Sequence, residues 1–115
     1  MLNNEQVMER RTSTRVSSRV AVHLRSLERI HASDGAACDI GEGGLRVMIE
    51  QFSPVNSKVT LQFQLNILQE VIELVAQIMW IRQIPYSDRY YVGLKFLDIS
   101  PHLQEEILHY IQSHR

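Results

Sequence analysis

The chain has 115 residues and a mass of 13.4 kDa, the usual size of a single domain. Hydrophobic residues make up 44% and charged residues 22%, and these ordinary globular proportions exclude a disordered, collagen-like or coiled-coil chain. The formal net charge of −1 argues against a protein that coats nucleic acid. One folded core is expected.

The small net charge hides an asymmetry along the chain. Residues 1–30 hold six arginines and three glutamates, a net charge of +3, whereas the remaining residues carry −4. Most of the basic residues are arginine, whose planar guanidinium favours bidentate recognition of anions. Composition alone leaves a solvated N-terminal arm as the alternative.

Cysteine content and hydropathy restrict the expected compartment. The single Cys38 excludes an internal disulfide and a cysteine-built zinc site, so a reducing cytoplasm is the default. The N-terminus lacks the apolar core of a signal peptide, and no stretch approaches the ~18 apolar residues of a membrane span. We expect a soluble cytoplasmic protein without membrane insertion.

Hydrophobic alternation predicts six short strands. They begin at Ser18 and continue with residues 36–40, 45–49, 59–65, 71–81 and 90–97. Residues 26–34 are predicted as a loop, and turns are expected at 53–56 and 85–88. The three glycines within 41–44 are expected to supply positive φ angles in a tight connection.

Residues 71–81 are apolar on both faces, with Trp80 on the same face as Ile72 and Ile78. Their β-branched content favours a central strand covered on both sides over a helix. A helix is predicted over 101–113, with Ser100 as its N-cap and Pro101 as its first residue. Its apolar stripe comprises Leu103, Ile107, Tyr110 and Ile111. The fold class is therefore all-β: a six-stranded antiparallel β-barrel closed at one end by a C-terminal α-helix.

Catalysis and metal binding have little support in the sequence. No two of the five histidines have the i, i+3 or i+4 spacing of a helical metal site. Cys38 has no neighbouring histidine to activate it. The GEGG segment at 41–44 precedes neither a helix nor a Lys-Ser/Thr pair, so it fails as a nucleotide P-loop. We expect no enzyme, no metal and no cofactor.

Two segments remain as candidates for a binding site. ERRTSTRV at 9–16 carries Arg10, Arg11 and Arg15, and DIGEGGL at 39–45 places Asp39 among three glycines. Guanidinium groups clamp phosphate, pair with the O6/N7 edge of guanine and stack on its ring. A carboxylate accepts from the N1 and N2 donors of guanine. Together the segments suit a guanine nucleotide, although either alone is weak evidence.

These segments, with YVGLKFLDIS at 91–100 and the helix after it, resemble the PilZ domain, the bacterial receptor module for cyclic di-GMP. The resemblance covers residues 9–113 and implies a six-stranded barrel with a C-terminal helix. It divides the chain into a flexible arm at 1–9 and a PilZ domain at 10–115. Within that domain it implies a ligand-binding loop at 10–16, the barrel at 18–98 and the helix at 101–113.

The family pattern RxxxR falls on Arg11 and Arg15, which the resemblance implies grip phosphates and guanines. The pattern D/N-x-S-x-x-G falls on Asp39, Gly41 and Gly44. Asp39 is implied to read guanine, and Gly44 to allow close backbone approach. Gly41 replaces the usual serine, and losing that hydrogen bond costs roughly 1.5–3 kcal/mol, about ten- to a hundredfold in affinity. Weakened binding is expected rather than none.

Two further arginines extend the implied site. Arg10 makes the pattern RRxxxR, which resembles family members that bind two intercalated cyclic di-GMP molecules per domain. A solvated Arg10 is the alternative. Arg46 lies two residues after Gly44 of the glycine turn, where it could reach the ligand.

The leading hypothesis is a stand-alone, non-enzymatic cyclic di-GMP receptor, a monomer or weak dimer. Its arm orders on binding and signals to an unidentified downstream effector protein. The alternative is a degenerate member that binds protein partners only, with Gly41 as its sign. An RNA or single-stranded DNA binder is disfavoured, because the predicted strands expose few aromatic residues and the charge outside the arm is −4.

Overall fold

The computed structural model describes residues 14–27, 32–50, 54–66 and 69–115, which form seven strands and one helix. Arg10 and Arg11 lie outside the described residues, as do most of the proposed ligand-binding loop at 10–16 and residues 28–31 of the loop predicted at 26–34. The strands are β1 (Arg15–Ser17), β2 (Ala21–Ser26), β3 (Ala32–Gly41), β4 (Gly44–Ile49), β5 (Lys58–Phe63), β6 (Ile72–Gln83) and β7 (Tyr90–Leu97). The helix is α1 (Pro101–Ser113).

Antiparallel pairing closes six of these strands into a barrel. The order β3-β2-β5-β6-β7-β4 returns to β3, because β3 pairs with both β2 and β4. This confirms the predicted six-stranded barrel. The seventh strand, β1, was not predicted: Arg15–Ser17 pairs with residues 39–41 of β3.

The alternation in sequence predicts the buried face of most strands correctly. Val59, Leu61 and Phe63 of β5 point into the barrel, as do Val92, Leu94 and Phe96 of β7. The two predicted turns that the structure describes contain Asn56 (φ 72°) and Tyr86 (φ 60°). Strand β3 begins at Ala32, four residues before the predicted start at 36.

The helix α1 closes the barrel through its apolar stripe. Its start is as predicted: Ser100 accepts a hydrogen bond from the Leu103 N–H, and Pro101 is the first helical residue. Ile107, Tyr110 and Ile111 are buried. The Tyr110 hydroxyl lies 3.1 Å from Oγ of Ser18, which links the helix to the chain just after β1.

Strand β6 departs from the prediction of a strand covered on both faces. Ile72, Leu74, Ala76 and Ile78 are buried, but the opposite face is open to solvent along much of its length. A β-bulge interrupts the pairing with β7, since Ile78 opposes Leu94 whereas Trp80 opposes Gly93. The extra residue, Met79, moves Trp80 to the outer face, so the predicted placement of Trp80 with Ile78 was wrong.

Candidate ligand-binding site

A shallow depression on the outer barrel wall brings together side chains that are distant in sequence. Its volume is about 400 Å³. It lies where the start of β1, the end of β3, the start of β4 and the middle of β6 and β7 meet. The lining residues are Arg15, Asp39, Leu45, Arg46, Met79, Trp80, Gly93 and Leu94.

Asp39 lies between two arginines in this depression. Nε of Arg15 donates to Oδ1 of Asp39 at 2.6 Å. Nε of Arg46 lies 3.0 Å from Oδ2, but it is buried without an aligned acceptor, so this contact is an ion pair rather than a hydrogen bond. One carboxylate therefore holds two guanidinium groups at a single position on the surface.

A β-bulge in β3 turns Asp39 toward that position. Ala37 pairs with Val47 of β4 and Asp39 pairs with Arg46, which leaves Cys38 as the extra residue. Ala37 and Ile40 are both buried, whereas strict alternation from Ala37 would have pointed Asp39 into the barrel. The bulge places Asp39 on the outer wall instead.

The glycines after Asp39 have ordinary φ angles, and two of them allow neighbouring groups to approach closely. No described glycine has a positive φ, so that expectation for the 41–44 connection was wrong. A Cβ at Gly44 would overlap the carbonyl oxygen of Leu94 on the neighbouring β7. A Cβ at Gly41 would stand 3.1 Å from Cγ and 3.2 Å from Nη1 of Arg15. Gly43 faces open space.

Trp80 covers the opposite end of the depression. A Cβ at Gly93 would overlap Nε1 and Cε2 of the indole, so the five-membered ring lies directly over the Gly93 backbone. The residue remains 41% exposed. A large aromatic side chain thus borders the same depression as the Arg15–Asp39 pair.

Tyr91 supports two of the surrounding cations. The guanidinium carbon of Arg46 lies 5.4 Å from the centre of the Tyr91 ring, and that of Arg82 lies 5.9 Å from it. Both distances are within the range of cation–π attraction. The outer wall beside Asp39 therefore carries more positive than negative charge.

Burial raises the pKa of the Cys38 thiol, an effect that Arg46 partly offsets and Asp39 reinforces. A thiol with a raised pKa is protonated at neutral pH, so it is a poor nucleophile there. Among the described residues, no three histidine, cysteine, aspartate or glutamate side chains come together as a metal site. No helix in the described part of the chain is long and apolar enough to cross a bilayer.

Residues 9–113 match the family model for the PilZ domain, which covers nearly the entire chain. The chain belongs to the PilZ domain family. The search of curated proteins found no match for this PilZ domain.

Solved structures have the same fold. The PilZ domain of YcgR from Escherichia coli, solved with cyclic di-GMP, is 18% identical, covers 91% of each chain and has a TM-score of 0.72. MotI/DgrA of Bacillus subtilis, an inhibitor of motility, is 19% identical with a TM-score of 0.76 over 88% of this chain and 49% of its own. Borreliella burgdorferi PlzA, also solved with cyclic di-GMP, is 10% identical with a TM-score of 0.68 over 98% of this chain and 55% of its own. This PilZ domain thus spans about half the length of MotI and PlzA.

Three of the residues proposed from the sequence meet in this PilZ domain: Arg15, Asp39 and Arg46 line one depression. Gly41 lies against the Arg15 side chain, whereas the close contact of Gly44 is with the backbone of β7.

Sequence reasoning missed Trp80 and Gly93 as residues of this site. The apolar pattern of residues 71–81 does not reveal the bulge at Met79, because a bulge depends on pairing with the neighbouring strand. The available signal was Gly93 itself, since a glycine inside a strand often marks a bulge or a close approach.

Proposed function

We propose that this chain is a non-enzymatic receptor for cyclic di-GMP, bound at the depression around Asp39. The observation that carries the proposal is the convergence of Arg15 and Arg46 on Asp39. The structures of YcgR and PlzA with cyclic di-GMP support the choice of ligand, since both have this fold. A guanine and its phosphates need an acceptor and several cationic donors close together, as in this depression.

Binding of cyclic di-GMP replaces ion pairs that are already present in the depression. Arg15 and Arg46 are each more than one-third exposed, so their ion pairs with Asp39 contribute little to stability and are readily broken. In the complex, the guanidinium groups turn to phosphate oxygens, and the freed carboxylate accepts from the guanine N1 and N2 donors. Arg82 adds a third positive charge farther along the wall, beside the Tyr91 ring.

Arg10 and Arg11 complete the proposed site from the segment before β1. Because Arg15 begins β1 at the edge of the depression, the residues just before it are within reach of a bound nucleotide. Arg11 would hold the first ligand, and Arg10 a second, stacked molecule. The expected ratio is two nucleotides per chain.

The segment before β1 is also where ligand binding could change the surface that an effector protein contacts. Binding draws residues 10–13 onto the barrel wall, which changes the surface offered to a cytoplasmic partner. We expect this response in a monomer or weak dimer. Amide hydrogen exchange with and without cyclic di-GMP tests this step, and unchanged exchange at residues 10–13 in a saturated complex would contradict it.

Titration calorimetry with cyclic di-GMP tests the receptor proposal. The expected result is saturable heat for the unaltered chain, with affinity about ten- to a hundredfold lower in Arg15→Ala and Asp39→Ala, because each loses a charge-assisted hydrogen bond. Arg25→Ala is the matched control, since Arg25 lies on β2 and does not line the depression. Equal affinities in all three variants would overturn the proposed site.

A protein-interaction module without nucleotide binding is the second candidate. Two observations favour it: both carboxylate oxygens of Asp39 already face arginines, and Gly41 has no hydroxyl group to offer a ligand. Under this hypothesis the folded chain gives no heat with cyclic di-GMP at tens of micromolar protein and still retains a protein partner. The same calorimetric titration therefore separates the two candidates.

A further inference from the structure

The barrel wall formed by β3, β2, β5 and β6 has a basic end. Arg25 of β2 pairs with Thr60 of β5, and Lys58 lies two residues before Thr60 on the same outer face. Arg25 and Lys58 are exposed, and neither forms an ion pair with another residue that the structure describes. Leu27 donates its backbone N–H to the Lys58 carbonyl and leaves its side chain 52% exposed. The basic end therefore presents two cations beside an apolar side chain.

The acidic end of this wall lies about 7 Å farther along the same strands. Asp34 pairs with His23, whose Nδ1 lies 2.7 Å from Oδ1 of Asp34. Gln62 pairs with Glu73, and its Nε2 donates to Oε2 of Glu73 at 3.2 Å. Asp34 and Glu73 are both exposed, and no described arginine or lysine pairs with either carboxylate. The wall thus carries opposite charges at its two ends.

A second depression, which we call the β2–β5 depression, opens at the acidic end and has a volume of about 450 Å³. Its lining includes the apolar side chains of Ala21, Phe63 and Val71, and Val71 is 59% exposed. It shares no lining residue with the depression around Asp39. Exposed apolar surface rimmed by polar groups is typical of a protein–protein contact.

These features are complementary when the wall meets a second copy of itself. A two-fold axis that crosses the strands near Thr60 reverses the strand direction, so the basic end of each copy faces the acidic end of the other. Leu27 and the β2–β5 depression lie on opposite sides of Thr60 along the strands. The same axis therefore brings each exposed leucine over the depression of the other copy. Both charge and shape point to this chain as its own partner.

We propose that this wall is the interface of a symmetric homodimer, in which Leu27 of each copy enters the β2–β5 depression of the other. Lys58 and Glu73 form reciprocal ion pairs across the two-fold axis. The inference goes beyond the receptor proposal and does not depend on it, because none of these residues lines the depression around Asp39. The wall covers roughly 400 Å² per copy, less than the ~800 Å² per partner of a stable complex. The dimer is therefore weak and forms at high protein concentration.

Sedimentation equilibrium over a series of protein concentrations tests the interface. The unaltered chain is expected to dimerise reversibly, with a dissociation constant that rises with salt because exposed charges are screened. Lys58→Glu and Glu73→Lys are each expected to weaken dimerisation about tenfold or more, because each creates two like-charge contacts per dimer. Lys95→Glu is the matched control, since Lys95 is the only other lysine in the chain and lies outside this wall on β7.

A mixture of the two charge-reversed variants distinguishes this interface from any other. When a Lys58→Glu chain meets a Glu73→Lys chain, the introduced glutamate faces the introduced lysine, and the native Glu73 faces the native Lys58. Both contacts then join opposite charges. The equimolar mixture is expected to dimerise about as strongly as the unaltered chain, whereas each variant alone is much weaker. A mixture no stronger than its components would overturn the paired contact.

Leu27 provides a test that changes no charge. Leu27→Ser is expected to weaken dimerisation, because the leucine no longer fills the β2–β5 depression. Val55→Ser is the control, since Val55 is 46% exposed on a turn outside this wall. Circular dichroism checks that each variant is folded, and this pair keeps the test valid if a charge reversal prevents folding.

The outcomes are independent of nucleotide binding. An unaltered chain that stays monomeric at hundreds of micromolar would overturn the dimer and leave the wall to a different partner. A dimer that the Lys58, Glu73 and Leu27 substitutions leave unchanged would place the contact elsewhere and overturn the interface. Calorimetry with cyclic di-GMP is expected to give equal results for Lys58→Glu and the unaltered chain, whether or not either binds the nucleotide.

Discussion

Gly41 lies directly against the side chain of Arg15, and a Cβ at position 41 would stand 3.1 Å from Cγ of that arginine. The same Cβ would lie 3.3 Å from the carbonyl oxygen of Thr14. The guanidinium can therefore fold over β3 and reach Asp39 partly because residue 41 has no side chain. Position 41 thus affects the site in two ways: through the missing hydroxyl group and through the missing Cβ.

Serine and alanine at position 41 separate these two effects. Gly41→Ser is expected to bind cyclic di-GMP about tenfold more tightly than Gly41→Ala, because only serine adds a hydrogen bond to a charged ligand. Alanine supplies the same Cβ and is the matched control. Calorimetry on both variants measures the difference, and equal affinities would show that the hydroxyl group makes no contact.

Gly44→Ala is expected to destabilise the fold by about 1–3 kcal/mol, because the new methyl group would collide with the backbone of β7. Gly43→Ala is the control: its Cβ meets nothing within 4 Å, and a change of less than about 0.5 kcal/mol is expected. Urea denaturation of both variants measures the free energy of unfolding. Equal values would contradict a packing role for Gly44.

Tyr110→Phe is expected to lower the free energy of unfolding by about 0.5–1.5 kcal/mol, because the buried hydrogen-bonding contact with Ser18 is lost. Tyr86→Phe serves as the control, since Tyr86 lies on a turn with its side chain fully exposed. Urea denaturation of both variants measures the free energy of unfolding. If the two variants lose equal stability, the contact between α1 and Ser18 contributes nothing measurable.

The alkylation rate of Cys38 is expected to rise with pH along a curve whose midpoint lies above the ordinary thiol pKa of about 8.5, because burial raises the pKa and only the thiolate reacts. Arg46 lowers that pKa, so Arg46→Gln should move the midpoint to higher pH. Arg82→Gln, which removes a charge farther along the wall, should leave it unchanged. A midpoint that moves to lower pH in Arg46→Gln would contradict the assigned role of Arg46.

Much of the barrel follows from local sequence. The alternation of Val59, Leu61 and Phe63 predicts an inner face because successive side chains of a strand point to opposite sides. Ser100 and Pro101 predict the start of α1 because a capping hydroxyl and a fixed φ act on adjacent residues. The arginine pattern and Asp39 also stood out in the sequence as candidate binding residues, since their residue types and spacing are local properties.

The candidate site is assembled by pairing between strands that are distant in sequence. The β-bulges at Cys38 and Met79 place Asp39 and Trp80 on the outer wall, whereas strict alternation from Ala37 and Ile78 would point them into the barrel. A bulge results from how one strand pairs with its neighbour, so the strand's own alternation does not reveal it. Likewise, Arg15 reaches Asp39 only because β1 pairs with the end of β3. Local sequence therefore predicts the six barrel strands, the helix and the candidate charges, whereas β1 and the set of side chains that share a site depend on strand pairing.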